Sequence, residues 1–76
     1  MKVYLIGRYR TLDGKQHVYW FSQRSGPGMV NDFLGSTGEA TPFASRADAE
    51  AYAERFNRYL GLNVFVREFE TETLYA

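Results

Sequence analysis

The chain has 76 residues, no cysteine, and nine basic side chains against nine acidic ones. The length is that of one small domain, residues 1–76, and the missing cysteines exclude a disulfide framework and a thiolate metal site. A net charge of zero disfavours a strongly basic nucleic-acid binder and an acidic mimic of DNA. Since no run approaches the roughly 18 apolar residues of a membrane span, the sequence favours a cytoplasmic protein without a membrane partner.

Two strand-like runs open the chain, at residues 2–10 and 15–24. Both are rich in β-branched and aromatic residues, and Asp13-Gly14 lies between them. This arrangement predicts a hairpin, because glycine adopts the positive φ that a tight turn requires.

Residues 25–44 follow without periodicity and hold most of the glycine and proline of the chain. We predict an ordered loop here, with room for one helical turn at residues 30–34. Gly26-Pro27-Gly28 is interpreted as a turn, because the rest of a nucleotide-binding loop pattern is missing.

A helix is predicted over residues 45–60. Ser45 and Asp48 resemble a capping box, Gly61 is a natural stop, and apolar residues recur at helical spacing between them. A third strand at residues 62–71 and a tail at 72–76 complete the chain. The predicted fold is α+β: a three-stranded antiparallel sheet of order 2-1-3 with one helix packed on one face, connected as β-β-(long loop)-α-β.

Alternation along the strands sorts the side chains into two faces. We assign to the helix the face with few charges, which holds Val3, Leu5, Val18, Trp20, Val64 and Val66. The opposite face then carries aromatic and arginine side chains that one helix cannot also cover. Such an apolar patch exceeds what soluble monomers usually expose.

Three covers for this second face stay open: the 25–44 loop through Met29, Phe33 and Leu34, a second copy of the chain in a homodimer, or another protein. Tyrosine and arginine are enriched at protein–protein hot spots. The predicted partner-binding residues are Tyr4, Ile6, Arg8, Tyr19, Phe21, Phe65, Arg67, Phe69 and Phe33.

Catalytic chemistry has few candidates. His17 is the only histidine, and no spacing pairs it with a serine nucleophile. Glu68, Glu70 and Glu72 alternate on one side of the last strand, where charge commonly serves to prevent strand aggregation. We therefore predict no catalytic residue, no metal site, no cofactor and no enzyme activity.

Nucleic acid is an alternative partner, because the charge is distributed unevenly. The predicted hairpin is basic, and aromatic residues lie among its cations, so it could track phosphates and stack on bases. The residues for this alternative are Arg8, Arg10, Lys15 and Arg24.

Residues 42–51, Pro-Phe-Ala-Ser-Arg-Ala-Asp-Ala-Glu-Ala, together with the hairpin, resemble the arm-type DNA-binding domain of phage integrases. Phe43, Ser45, Asp48 and Ala49 match the helix entry of that family. The resemblance implies DNA contacts by Arg8, Arg10 and Lys15, although the order of elements differs and there is no basic excess.

The whole chain is similar in style to small phage accessory proteins, a group that includes anti-CRISPR and other anti-defence inhibitors. The shared features are the hairpin, the Ala40-Thr41-Pro42-Phe43 helix entry, the alanine-rich helix and the closing strand. This resemblance implies a phage-encoded inhibitor that blocks a bacterial defence or regulatory complex by protein–protein interaction in the host cytoplasm. It carries over no site residues, because such inhibitors share no motif.

Overall fold

The computed structural model describes residues 1–23, 31–35 and 37–70. A four-stranded antiparallel sheet of order β3-β2-β1-β4 packs against one helix. A short 3₁₀ turn lies between β3 and the helix. The elements are β1 Lys2–Leu12, β2 Lys15–Gln23, β3 Asn31–Leu34, the 3₁₀ turn Thr37–Glu39, α1 Arg46–Leu60 and β4 Val64–Glu70.

The α+β class and the single helix on an antiparallel sheet are confirmed, but the sheet has four strands rather than three. The additional strand, β3, lies inside the predicted loop and pairs with β2. The helical turn allowed at residues 30–34 is therefore wrong for residues 31–34. Phe33 lies opposite Phe21 in the ladder, so tertiary packing rather than local pattern stabilises this four-residue strand. The turn predicted at residues 26–28 and the tail at 72–76 lie outside the described residues.

The hairpin of β1 and β2 is confirmed. Leu12 pairs with Lys15, and the two residues between them have positive φ, 54° at Asp13 and 75° at Gly14. Two consecutive positive φ values are those of a type I′ turn, whose twist matches that of the strands it joins. The turn therefore fixes the register of β1 against β2.

Both ends of α1 match the sequence prediction. The Ser45 hydroxyl accepts a hydrogen bond of 3.1 Å from the Asp48 backbone N–H, and Gly61 ends the helix at φ 65°. These contacts satisfy backbone groups that a helix end would otherwise leave without partners. Within the described ranges, α1 included, no helix is long and apolar enough to cross a membrane.

The helix packs on the opposite side of the sheet from the one predicted. Its buried residues contact Ile6 and Phe21, which are both fully buried, and Val64. Arg8 and Arg10, the charged residues that made this side unfavourable for a helix in the sequence analysis, lie toward the hairpin turn. The helix instead covers the first half of β1, where Arg46 of the helix reaches over the Tyr4 ring. Ala49 and Ala53 face the sheet and allow a close approach.

For β4, the side facing the helix was predicted correctly, but its match to the hairpin was wrong. Val64 and Val66 lie on the helix side as predicted, yet they share it with Ile6 and Phe21, while Phe65 and Phe69 share the other side with Leu5 and Trp20. A shift of one residue in register exchanges the two faces of a strand. The apolar run at Val64–Val66 is compatible with either phase, and only pairing with β1 decides between them.

Phe21 is the centre of the core beneath α1. Its ring lies 5.1 Å from that of Phe56 and 5.3 Å from that of Tyr52, measured between centroids. We expect Phe21→Leu to lower the free energy of unfolding by about 1–2 kcal/mol, because leucine keeps the site apolar but cannot reproduce the packing of the ring. The matched change Tyr59→Leu, at a residue 73% exposed, should stay within about 0.5 kcal/mol. Urea denaturation measures both, and equal losses of stability would contradict a core centred on Phe21.

Candidate functional site: the aromatic face of the sheet

The side of the sheet opposite α1 carries a cluster of rings and one guanidinium, which we call the aromatic face. Strand register places its members together: Gly7 pairs with Trp20 on one side and with Phe65 on the other, and Leu5 pairs with Arg67. The aromatic face consists of Tyr9, Trp20, Phe65, Arg67 and Phe69.

The rings of the aromatic face contact one another in sequence across three strands. Tyr9 stacks on Phe65 with centroids 4.8 Å apart, and Trp20 meets Phe65 at 6.0 Å and Phe69 at 5.2 Å, both edge to face. These are the offset and T-shaped geometries that aromatic pairs prefer. The cluster is therefore an ordered surface whose rings hold one another in place.

Gly7 makes this arrangement possible. A Cβ atom at position 7 would lie 2.6 Å from Cζ of Phe65 and 2.9 Å from Cζ3 of Trp20, which is closer than carbon atoms can approach. Phe65 thus lies over bare backbone, as aromatic residues do when they cover a strand glycine. The glycine is needed for space here, not for an unusual φ.

Arg67 lies across two of the rings. Its Cζ atom is 5.1 Å from the Phe65 centroid and 5.5 Å from the Trp20 centroid. Each such cation–π contact contributes about 0.5–1 kcal/mol at exposed sites. Arg67 is exposed, and its guanidinium makes no salt bridge to a carboxylate of the described residues. The rings therefore orient the guanidinium at the surface.

Part of this side of the sheet is covered from within the chain. Ala40, which follows the 3₁₀ turn, packs against Leu5 and Trp20, and all three are buried. The neighbouring segment is held by the Thr41 N–H, which donates to the Phe21 carbonyl at 2.9 Å. Tyr9 remains 45% exposed, and Phe65 and Phe69 are half-buried.

The cover predicted from the 25–44 loop therefore differs from the one observed. Phe33 packs beneath α1 instead of on the second face, and Ala40 takes the covering position. Met29 lies outside the described residues. Leu34, which pairs with Trp20 in the ladder, is half-buried.

The structure separates the nine predicted partner-binding residues, so the expectation that they form one exposed face is wrong. Phe65, Arg67 and Phe69 lie on the aromatic face. The other six lie on the helix side, and Ile6 and Phe21 there are fully buried. Those six are Tyr4, Ile6, Arg8, Tyr19, Phe21 and Phe33.

Sequence reasoning assigned Trp20 to the wrong environment and missed Tyr9. Trp20 was assigned to the helix because its face carries few charges, and the wrong match of β4 to the hairpin separated Phe65 from it. Tyr9 follows Gly7 by two residues, so alternation alone places it on this face.

The basic hairpin is a second surface, on the helix side of the sheet. Arg8 lies opposite Tyr19, and Arg10 lies opposite His17 with its Cζ atom 5.3 Å from the Tyr19 centroid. Lys15 shares this side, since it pairs with Leu12. Three of the four residues predicted for nucleic acid are thus brought together, and Arg24 lies outside the described residues.

Other candidate chemistry finds no cluster in the described ranges. His17 is an exposed strand residue. Glu68 accepts a hydrogen bond of 3.2 Å from the Tyr4 hydroxyl and lies 3.5 Å from the Lys2 ammonium. Among the residues that the structure describes, no group of three or more histidine, aspartate or glutamate side chains could hold a metal ion, and Glu72 is not among them.

No protein-family model matches this chain, and comparisons with curated proteins and with solved structures give no match. The resemblances to integrase arm domains and to phage accessory proteins therefore remain predictions from sequence. The functional proposal is therefore argued from the surfaces described above.

We expect Gly7→Ala to lower the free energy of unfolding by about 1–3 kcal/mol, the usual result of overpacking. It should also shift the fluorescence of Trp20, the only tryptophan, because the Phe65 ring must move. Gly35→Ala is the matched control, since its Cβ would lie 3.9 Å from Tyr19 in ordinary contact. Urea denaturation followed by tryptophan emission measures both variants. An unchanged emission spectrum for Gly7→Ala would contradict the packing of Phe65 over Gly7.

Proposed function

We propose that the protein is a non-enzymatic binding protein that acts by occupying a surface of a protein partner through the aromatic face. The observation that carries the proposal is Arg67, exposed and stacked on two rings with its donors unused by the described carboxylates. Arginine and large aromatic residues dominate protein–protein hot spots, because they combine contact area with directional hydrogen bonds.

The order of the aromatic face supports this proposal. Rings fixed by mutual contact lose little conformational freedom when a partner docks, and lower ordering costs leave more free energy for affinity. Tyr9 and the edges of Phe65 and Phe69 offer apolar area around the guanidinium. The partner surface expected from this chemistry is apolar with a carboxylate or carbonyl positioned for Arg67.

The proposal extends to a phage-encoded inhibitor of a bacterial defence or regulatory complex. Its support is the likeness in style to small phage accessory proteins and the surface itself, which suits stoichiometric occlusion. A homodimer formed through the same face is included as an outcome of the test.

The double variant Tyr9→Ala/Arg67→Gln should weaken partner binding at least tenfold, or about 1.4 kcal/mol. Its matched control is Tyr59→Ala/Arg58→Gln on α1, where both side chains are exposed and the chemical change is the same. Proteins captured from bacterial lysate by the unchanged chain are purified, and calorimetry gives the dissociation constant for each variant.

Equal binding by the two double variants would exclude the aromatic face. For the inhibitor hypothesis, phage plating on a defence-proficient strain should rise with the unchanged chain and the control but not with the aromatic-face variant. The solution mass tests for a homodimer. If the unchanged chain and the control have the mass of two chains and the aromatic-face variant has the mass of one, the aromatic face is the interface of a homodimer.

The basic hairpin favours nucleic acid as a second candidate partner. Arg10 stacked on Tyr19 beside Arg8 and Lys15 combines phosphate-binding charge with a ring on which a base could stack. This surface lies on the other side of the sheet from the aromatic face, so the two candidates use different residues.

If the hairpin binds nucleic acid, Arg8→Gln/Arg10→Gln should flatten the dependence of log affinity on log salt by about one unit for each phosphate that is no longer neutralised. Arg55→Gln/Arg58→Gln removes the same charge from exposed positions of α1 and should leave the slope unchanged. Anisotropy titration with labelled single-stranded and duplex DNA and RNA measures the slope. Absence of binding at low salt would eliminate this candidate.

A further inference from the structure

The outer edge of β4 is a third surface, distinct in that it offers backbone hydrogen-bonding groups. β4 pairs with β1 along all seven of its residues. Within residues 1–23, 31–35 and 37–70, no strand pairs with its other side. An unpaired edge presents a row of backbone donors and acceptors to which another strand can add.

The hydrogen-bonding phase of this edge follows from contacts at two places. The Val64 N–H donates to Oδ1 of Asn57 at 2.8 Å, and its carbonyl accepts from Nδ2 at 3.4 Å. The backbone of Tyr4, which lies opposite Glu68, exchanges two 2.9 Å hydrogen bonds with Phe43 on the far side of β1. In an antiparallel ladder such groups alternate. The outward-pointing backbone groups of β4 are therefore those of Val64, Val66, Glu68 and Glu70.

Asn57 shows how this edge accepts an amide. Its side chain forms the same donor–acceptor pair with Val64 that a neighbouring strand would form. The next outward positions, Val66 and Glu68, have no hydrogen-bond partner for their backbone among the described residues. A strand that adds to β4 would therefore continue the pairing that Asn57 begins.

A groove runs beside this edge, between β4 and α1. Its volume is about 260 Å³, and its lining residues are Glu50, Ala53, Glu54, Asn57, Val64, Phe65 and Val66. The floor is apolar, and the only charged side chains in the lining are two glutamates. Glu68 lies farther along β4 on the helix side of the sheet, so carboxylates lie beside both the groove and the edge.

The cations near these carboxylates approach from outside the groove. Arg46 lies 3.7 Å from Glu50, Lys2 lies 3.5 Å from Glu68, and Arg58 donates a hydrogen bond to Glu54 one turn away on α1. All three pairs are exposed, and exposed pairs contribute at most about 1 kcal/mol each. A positively charged ligand can therefore compete for these carboxylates.

We propose that the outer edge of β4 binds an extended, basic segment of a protein partner by strand addition. Main-chain hydrogen bonds to Val66 and Glu68 supply the pairing. Alternate lysine or arginine side chains of the segment lie on the helix side, beside Glu50, Glu54 and Glu68. This site shares Phe65 with the aromatic face but is formed by the backbone edge and the helix side of β4, and it adds a second mode of partner recognition.

Charge argues against a second copy of the chain as the occupant. Two β4 edges paired with each other would bring Glu68 and Glu70 of both copies onto one side of a shared sheet. Carboxylates brought together across strands destabilise such pairing. The carboxylates along β4 therefore disfavour pairing with the β4 edge of a second copy and favour pairing with a basic strand.

The probe is a fluorescein-labelled peptide of alternating lysine and valine, as long as β4, titrated against the full chain at low ionic strength. The control peptide has glutamate in place of each lysine. Glu68→Gln removes one carboxylate and should weaken binding about three- to fivefold, the scale of one exposed ion pair.

Glu68→Pro makes the same charge change and also removes the outward N–H of residue 68. Proline is accepted at such a position, because the N–H of an edge strand that points outward takes no part in the ladder. We expect it to bind about tenfold more weakly than Glu68→Gln. Circular dichroism verifies that both variants fold. Equal affinity of the two variants, binding of the glutamate peptide, or absence of binding by the lysine peptide would each overturn the proposal.

Hydrogen exchange locates the peptide. The Glu68 amide should exchange rapidly in the free chain and become protected when the lysine peptide is bound. Protection already present in the free chain would mean that another segment or a second copy occupies the edge, and it would overturn the proposal as well.

Discussion

The structure depends on a sheet that has to bury apolar side chains on both faces with a single helix. The consecutive residues Leu5 and Ile6 show this most directly, because they point to opposite sides of β1 and both are fully buried. Ile6 is covered by α1. Among residues 1–23, 31–35 and 37–70 no α-helix lies above Leu5, and its cover there comes from Trp20, Phe65, Phe69 and Ala40. Two small cores thus share one central strand, as is expected when 76 residues supply too little chain for a third layer.

This division explains why the aromatic face is both structural and exposed. Its inner atoms shelter Leu5, whereas its outer atoms contact solvent at Tyr9 and along Arg67. A guanidinium is well suited to this position, because it can lie flat on rings while its N–H groups remain in water. The side chains that cover Leu5 are therefore also the ones that present rings and a cation to solvent, and their order follows from their mutual packing.

Local signals predicted most of the fold, and tertiary pairing decided the rest. Asp13-Gly14, Ser45 and Gly61 act on their immediate neighbours, so the hairpin and the helix limits could be read from sequence. β3 could not, because a strand of four residues has too little alternation to predict and depends on Phe21 for its packing.

The same reason limited prediction of the site. Val64–Val66 is apolar on both faces, so the position of Phe65 is set by its fit over Gly7, a contact between residues distant in sequence. Once that phase was misassigned, Trp20 and Phe65 were placed on different sides. The members of the aromatic face were therefore recognisable as residue types but not as a cluster.

The zero net charge conceals a separation of charge across the fold. Arg8, Arg10 and Lys15 lie on one side of the hairpin, whereas Glu50, Glu54 and Glu68 surround the far edge of the sheet beside α1. Arg46, Arg58 and Lys2 lie beside these carboxylates, so the separation of charge is local. At physiological ionic strength it acts on an approaching charged molecule only over about 8 Å. Neutral composition thus weighs against a uniformly charged binding protein but is compatible with two oppositely charged regions on the helix side of the sheet, whereas the aromatic face lies on the opposite side with Arg67 as its cation.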